Sequence, residues 1–171
     1  SSAALAVPPP ETAKEVYAIN GVIGAPKDIA PGDLVTYRLR LEVAATDVND
    51  LTIEDFLPLP VFDVDGNGTG FVFDGAGVPD VDTRGAQNAL VIDFEDFEET
   101  GAAGGVIDLL YTVPTADTPF ADGLKLVNQA VFRSGDSQDV ISNTQIAIDE
   151  ITLRQPTLSI NKGVVAPAAT G

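Results

Sequence analysis

Apolar and polar side chains alternate along most of this chain. In residues 34–43 the odd positions are apolar and the even ones mostly polar, and residues 124–133 show the same alternation. Residues 89–94, 106–113 and 146–153 have the composition of further strands, and segments rich in Gly, Pro, Asn and Asp separate them. A period of two residues indicates strands with one buried face. The pattern therefore predicts an all-β sandwich of about seven to nine strands.

Helical periodicity is scarce. Only residues 11–16 and 47–56 could form a helical turn or two. We divide the chain into a proline-rich leader (1–13), a β-sandwich domain (14–155) and a terminal strand (156–171). The sandwich contains an acidic Gly/Asp-rich insertion near residues 58–105.

The terminal strand repeats the opening of the domain. Residues 157–167 read like residues 16–26, with Lys162 as the one insertion. Repetition on this scale is typical of tandem arrays. The terminal strand is therefore predicted to be either the first strand of a following repeat or a donor strand for another subunit. Leu158, Ile160 and Val164 would supply its apolar face.

Charge and composition exclude several functions. The 171 residues carry a formal net charge of −17 with only nine basic residues, so nucleic acid is not an expected partner. Cys, His, Met and Trp are all absent, which excludes disulfides, zinc–thiolate sites and imidazole bases. We recognise no nucleophile motif and do not expect an enzyme. No apolar run is long enough to insert into a membrane.

A candidate calcium loop lies in the insertion. Asp63, Asp65, Asn67, Thr69 and Asp74 occupy positions one, three, five, seven and twelve of a twelve-residue calcium loop. Alternate residues of a tight loop point inward, so hard oxygen ligands can surround the cation. The closing Asp74 is shorter than the usual Glu, and the flanking prolines exclude an EF-hand. The alternative is an Asp-Gly-Asn-Gly hairpin turn without metal.

Two further acidic clusters follow this loop. Asp80 and Asp82 could complete the calcium site or build a second one, whereas residues 93–99 are expected to be a solvated acidic rim. Calcium is the only cofactor that the sequence predicts.

Four segments, in their order along the chain, carry a family resemblance. Residues 31–41 (PGDLVTYRLRL), 48–58 (VNDLTIEDFLP), 126–132 (LVNQAVF) and 156–162 (PTLSINK) resemble a bacterial and archaeal surface repeat, the domain of unknown function eleven. That repeat is related to isopeptide-forming fimbrial domains. The resemblance implies an immunoglobulin-like β-sandwich in adhesins, stalks or fibres.

The resemblance also suggests a covalent chemistry. Some fimbrial relatives join a first-strand Lys to a last-strand Asn, with a nearby acid as catalyst. The position that aligns with Lys162 falls at the Asn20–Gly21 junction and has no lysine; only Lys14 and Lys27 lie near the first strand. We therefore do not expect an internal cross-link, and we expect Asn128 to be a hydrogen-bonded core residue. Lys162 is either a cross-linking residue with an external partner or a solvated strand lysine.

The sequence thus predicts a structural module of an extracellular surface protein or filament, stiffened by calcium. Its expected partners are neighbouring copies or domains of the same protein, joined through the terminal strand. The alternative is a calcium-dependent adhesive or carbohydrate-binding module that binds a surface glycan. Only three tyrosines are available to stack against a sugar.

Overall fold

The computed structural model describes residues 11–43, 49–62, 64, 70–74, 80–94, 104–119, 121–135 and 141–155. Eleven strands and one short 3-10 helix (Gly85–Gln87) form within these residues. The strands are β1 (Thr12–Ile19), β2 (Val22–Ile23), β3 (Asp28–Ile29), β4 (Leu34–Val43), β5 (Asn49–Phe56), β6 (Gly70–Asp74), β7 (Asp80–Arg84), β8 (Ala89–Asp93), β9 (Gly105–Pro114), β10 (Lys125–Gly135) and β11 (Ile141–Leu153). The described part of the chain holds no helix long and apolar enough to cross a membrane.

The strands form two sheets. The first sheet has the order β2-β1-β4-β9-β6, and the second has the order β3-β11-β10-β5-β8-β7. All described pairings are antiparallel except that of β3 with β11. The predicted immunoglobulin-like β-sandwich is confirmed. The insertion near residues 58–105 contributes β6 to the edge of the first sheet and β7 and β8 to the second.

Alternation in the sequence builds the core between the sheets. In β4 every second residue from Val35 to Val43 is buried, and β9 buries Ile107 through Val113 in the same way. The second sheet completes one continuous apolar cluster with inward side chains from four strands: Leu51, Ile53, Leu90, Ile92, Ala130, Phe132, Ala147 and Ile151. Burial of this apolar surface is the main force that holds the sandwich closed.

Both segments with weak helical periodicity are strands. β1 begins at Thr12, within the range assigned to the leader, and β5 covers Asn49–Phe56. Pairing with β4 and β10 respectively outweighs local propensity in both segments. An Asn20–Gly21 turn connects β1 to β2, and both of its residues have the positive φ that this hairpin turn requires.

Candidate functional site

The first sheet directs a lysine and two tyrosines into the sandwich. Lys14 of β1 lies one inward step from Val16, which is opposite Tyr37 of β4; Tyr37 is in turn opposite Tyr111 of β9. The two tyrosine rings stack with their centroids 5.5 Å apart. The Lys14 ammonium lies 4.5 Å from the centroid of the Tyr37 ring, a cation–π distance. The strand register thus places the Lys14 amine over the ring of Tyr37, which stacks against the ring of Tyr111.

The second sheet places an acid and an amide on the facing surface. Asp55 of β5 is opposite Ala130 of β10, and Asn128 is two residues from Ala130 on the same face. Asp149 of β11 is directly opposite Asn128. Because side chains two residues apart in a strand share a face, all three carboxyl or amide groups point toward the first sheet.

A compact network joins the two sheets. The Lys14 Nζ donates to the Asp55 Oδ2 and lies 3.2 Å from the Tyr111 hydroxyl. The Tyr111 hydroxyl donates to the same Asp55 Oδ2 at 2.5 Å. The side chains of Lys14 and Asp55 are both 0% exposed. Lysine is almost never fully buried unless it is paired, so its position here requires a specific explanation.

Four buried polar atoms have no hydrogen-bond partner in the part of the chain that the structure describes. They are the Asp55 Oδ1, the Tyr37 hydroxyl, and both the Oδ1 and Nδ2 of Asn128. All four belong to this one cluster around Lys14. Buried polar groups are normally hydrogen-bonded, and each one left unpaired costs about 1–3 kcal/mol. The concentration of four such atoms in one place makes this cluster the candidate functional site.

Burial also changes the protonation of the cluster. Desolvation lowers the pKa of Lys14, and the neighbouring Asp55 carboxylate only partly opposes this effect. Desolvation raises the pKa of Tyr37 and of Tyr111, so both hydroxyls keep their protons. The Asn128 amide is near enough to lower both tyrosine pKa values slightly, although neither of its polar atoms meets hydrogen-bond geometry.

The cluster therefore contains an amine that loses its proton easily, a carboxyl group in contact with it, and a carboxamide carbon beside both tyrosine hydroxyls. These are the components of amide exchange, in which an amine displaces ammonia from a carboxamide. The expectation that Asn128 is a core residue is confirmed, because it is fully buried. Neither polar atom of Asn128 has a partner of standard hydrogen-bond geometry within the described residues, although its amide lies close enough to the Tyr37 and Tyr111 hydroxyls to lower the pKa of both.

Three of the seven predicted calcium ligands fall within the described residues. Asp63, Asp65, Asn67 and Thr69 are outside the described residues. Asp74 ends β6 at the edge of the first sheet, whereas Asp80 and Asp82 are exposed on β7 at the edge of the second. No group of three acidic residues suited to a metal forms within the described ranges. The terminal-strand residues Leu158, Ile160, Lys162 and Val164 also lie outside the described residues.

Sequence reasoning missed Lys14 and Asp55. Lys14 was placed at the boundary of a leader, and Asp55 was one of fourteen acidic residues between positions 43 and 100. The alternation of β5 carries a signal for Asp55, whereas that of β1 is weak and is broken by the register shift between Val16 and Ala18. Lys14 shares the inward face of Val16, and Asp55 shares that of Leu51 and Ile53.

The sandwich is similar to solved structures of bacterial surface proteins. BcpA, the major pilin subunit of Bacillus cereus, matches with a TM-score of 0.61 and 16% identity over 84% of this chain and 39% of its own. The C-terminal domain of the Streptococcus pyogenes antigen I/II-family protein AspA matches with a TM-score of 0.59 and 10% identity over 88% and 48%. The 35 kDa C-terminal fragment of the Streptococcus agalactiae major pilin GBS80 matches with a TM-score of 0.56 and 11% identity over 85% and 56%.

These matches define the class of fold, a sandwich shared with pilin and surface-antigen domains. This chain spans between about two fifths and just over half of the length of these three structures. No protein-family model matches the sequence, and no curated protein matches it significantly.

Proposed function

We propose that this chain is a structural module of an extracellular surface protein or filament, and that an internal amide bond between Lys14 and Asn128 locks it. One observation carries the proposal: Lys14, Asp55 and Asn128 share the buried core between the sheets, and four polar atoms of this cluster have no partner of standard geometry within the described residues. The structural likeness to pilin subunits supports the setting, since a module of a filament has to withstand pulling along the filament. The chain has no cysteine with which to form a disulfide.

The reaction begins with a proton transfer. Burial disfavours charge, so the proton of the Lys14 ammonium passes to the Asp55 carboxylate and leaves a neutral amine and a neutral acid. The lone pair of the Lys14 Nζ then attacks the Cγ of Asn128. The Asp55 carboxyl donates its proton to the developing oxyanion at the Asn128 Oδ1, where the Tyr37 hydroxyl is a further available donor.

Collapse of the tetrahedral intermediate completes the exchange. The Asp55 carboxylate takes a proton from the former Lys14 Nζ. Asp55 also relays the proton of the Oδ1 hydroxyl to the departing Nδ2. The Cγ–Nδ2 bond breaks and ammonia leaves, so an amine and a primary amide have become a secondary amide and ammonia. The product removes the ammonium from the core and supplies one N–H donor and one C=O acceptor to the unpaired atoms.

The test is the mass and peptide map of the purified full chain. We expect the wild-type protein to be lighter than its sequence by one ammonia, and proteolysis to release a branched peptide that contains both Lys14 and Asn128. Asn128→Ala, Lys14→Ala and Asp55→Ala should each have the full mass. Lys27→Ala, which changes an exposed lysine of the same domain, should still lose ammonia.

The branched peptide is decisive because an asparagine–glycine pair such as Asn20–Gly21 can also lose ammonia as a cyclic imide. Recovery of Lys14 and Asn128 in separate, unmodified peptides of the folded wild-type protein would refute the internal bond.

We further propose that the module connects to its neighbours through residues 157–167. The repeated strand and Lys162 support this connection, either as the start of a following domain or as a donated strand. Deletion of residues 157–171 should then abolish any polymer that the full chain forms, and polymers that persist would exclude donation.

A further inference from the structure

Asp149 ties the first strand to the second sheet. Its side chain is 8% exposed. The Asp149 Oδ2 accepts a hydrogen bond from the Val16 backbone N–H at 2.6 Å. Its Oδ1 accepts from the Glu150 backbone N–H at 3.0 Å and from the Lys27 ammonium. One carboxylate thus contacts β1, β11 and the segment that precedes β3.

The hydrogen bond to Val16 crosses between the sheets. β1 pairs with β2 and β4 in the first sheet, whereas Asp149 belongs to β11 of the second. The register of β1 against β4 shifts between Val16 and Ala18, so Tyr17 has no partner on β4 and the strand bends there. A bulge of this kind commonly re-aims side chains beside a functional site. Asp149 holds the strand at its bend.

The position of this tie matters because both reactive side chains are beside it. Lys14 is two residues from Val16 on the same face, roughly 7 Å along the strand. Asn128 is directly opposite Asp149 across the β10–β11 ladder, with their Cβ atoms about 5 Å apart. Asp149 therefore fixes the strand that carries the amine relative to the strand that carries the amide.

We propose that Asp149 is a positioning residue for the reaction between Lys14 and Asn128, holding β1 at the depth that delivers the Lys14 amine to the Asn128 amide carbon. This inference rests on the internal amide proposed above. Lys27 supports the arrangement by holding the other oxygen of Asp149. Asp149 does not touch the reacting atoms, and its effect is transmitted through the Val16 backbone.

Asp149 also contributes charge. Four groups face the Lys14 amine: Asp55, Tyr37, Tyr111 and, farther away, Asp149, whose own charge is balanced by Lys27. The negative charge of Asp149 raises the pKa of Lys14 against the larger lowering by burial. Removal of this charge should lower the pKa of Lys14 further, so the neutral amine forms at lower pH.

The experiment follows ammonia loss in time. The full chain is isolated unfolded, refolded by dilution at a series of pH values, and sampled for intact mass and for the Lys14–Asn128 peptide. Asp149→Ala removes both the acceptor and the charge and should slow the reaction roughly 10- to 100-fold, since small misplacements of reacting groups have effects of this size. Asp149→Asn keeps an oxygen acceptor for Val16 and should be slowed less. Its pH–rate profile should move to lower pH.

Glu150→Ala is the matched control, because it removes a carboxylate from the neighbouring position, where the side chain pairs with the exposed Lys125. It should react at the wild-type rate. Folding of each variant is checked by circular dichroism in an Asn128→Ala background, where no bond can form. If Asp149→Ala fails to fold, the other two variants test the positioning role of Asp149. A pH–rate profile of Asp149→Asn that moves to lower pH and a slower reaction in Lys27→Ala would support that role, and wild-type behaviour of both variants would overturn it.

Two failures are distinguishable. If the wild-type chain forms no Lys14–Asn128 peptide, the proposed function is wrong. If it does, but the folded Asp149 variants react at the wild-type rate with an unmoved pH profile, Asp149 has no positioning role and the proposed function stands.

Discussion

The sandwich contains two lysine–aspartate pairs that differ in their access to water. Lys14 and Asp55 are both 0% exposed in the core, whereas Lys27 is 46% exposed and Asp149 8%. Water stabilises the charges of Lys27, so this pair remains an ordinary ion pair. The Lys14–Asp55 pair has no such solvation, and proton transfer to two neutral groups is its alternative to a costly buried charge.

The neighbours of each pair complete the contrast. Asp149 accepts backbone N–H groups from Val16 and Glu150 besides Lys27, so both of its oxygens are hydrogen-bonded. In contrast, the Asp55 Oδ1 has no hydrogen-bond partner among the residues that the structure describes. The same two residue types thus form a partly exposed ion pair in one place and a fully buried pair in the other, where we propose that they supply the amine and the acid of the reaction.

The largest expected effect is the loss of stability when the proposed bond between Lys14 and Asn128 cannot form. Asn128→Ala leaves the Lys14–Asp55 contact intact but prevents the bond that closes the chain between positions 14 and 128. By analogy with a disulfide that closes a loop of this length, we expect a loss of about 4–5 kcal/mol. The melting temperature should fall by roughly 10–20 °C.

Lys27→Ala is the comparison for this measurement. Loss of a partly exposed ion pair should cost about 1 kcal/mol or less, and the melting temperature should move only slightly. Differential scanning calorimetry of both variants measures the two effects. Equal losses from the two substitutions would contradict the distinction between the pairs.

The two tyrosines allow a finer test of the reactive pair. The Tyr111 hydroxyl donates to Asp55 and contacts Lys14, whereas the Tyr37 hydroxyl makes no such contact with Asp55 within the described part of the chain. Tyr111→Phe should slow ammonia loss roughly 10-fold, because the acid loses the donor that orients it. Tyr37→Phe should have little effect on folding and a smaller effect on the rate. The time course of intact mass after refolding distinguishes them, and identical rates for the two variants would show that neither hydroxyl orients the acid.

The smallest expected effect concerns the acidic insertion. If calcium binds the loop of residues 63–74, chelation should lower the melting temperature by about 2–4 °C, equivalent to about 1 kcal/mol of binding linkage. An Asp63→Asn, Asp65→Asn variant should then melt at the same temperature with and without chelator. A wild-type melt that is unchanged between chelator and millimolar calcium would exclude the metal.

Alternation predicts the sandwich and part of its site. The inward position of Asn128 follows from its place among Leu126, Ala130 and Phe132, and the structure confirms it. Lys14 is harder to predict because a short strand beside a proline-rich segment gives little periodic signal. Alternation can show that a lysine or an aspartate is on the core face of its strand. It cannot show which residue of the other sheet that side chain contacts, because this depends on how the two sheets pack. The register of β1 against β4, and of β5 against β10, decides that Lys14 meets Asp55.

The location of the two reactive residues along the chain has a mechanical consequence. Lys14 is near the start of β1, and Asn128 is in β10, the strand before the last. Once the amide forms, a pull on the two ends of the domain passes from Lys14 straight to Asn128, and everything between them is a closed ring that carries no tension. Only residues 129–153, the arm of the β10–β11 hairpin beyond the bond, can still lengthen under force. Asn128 and Asp149 are opposite each other near the open end of that hairpin. Its hydrogen bonds would therefore break one after another from this point toward the turn.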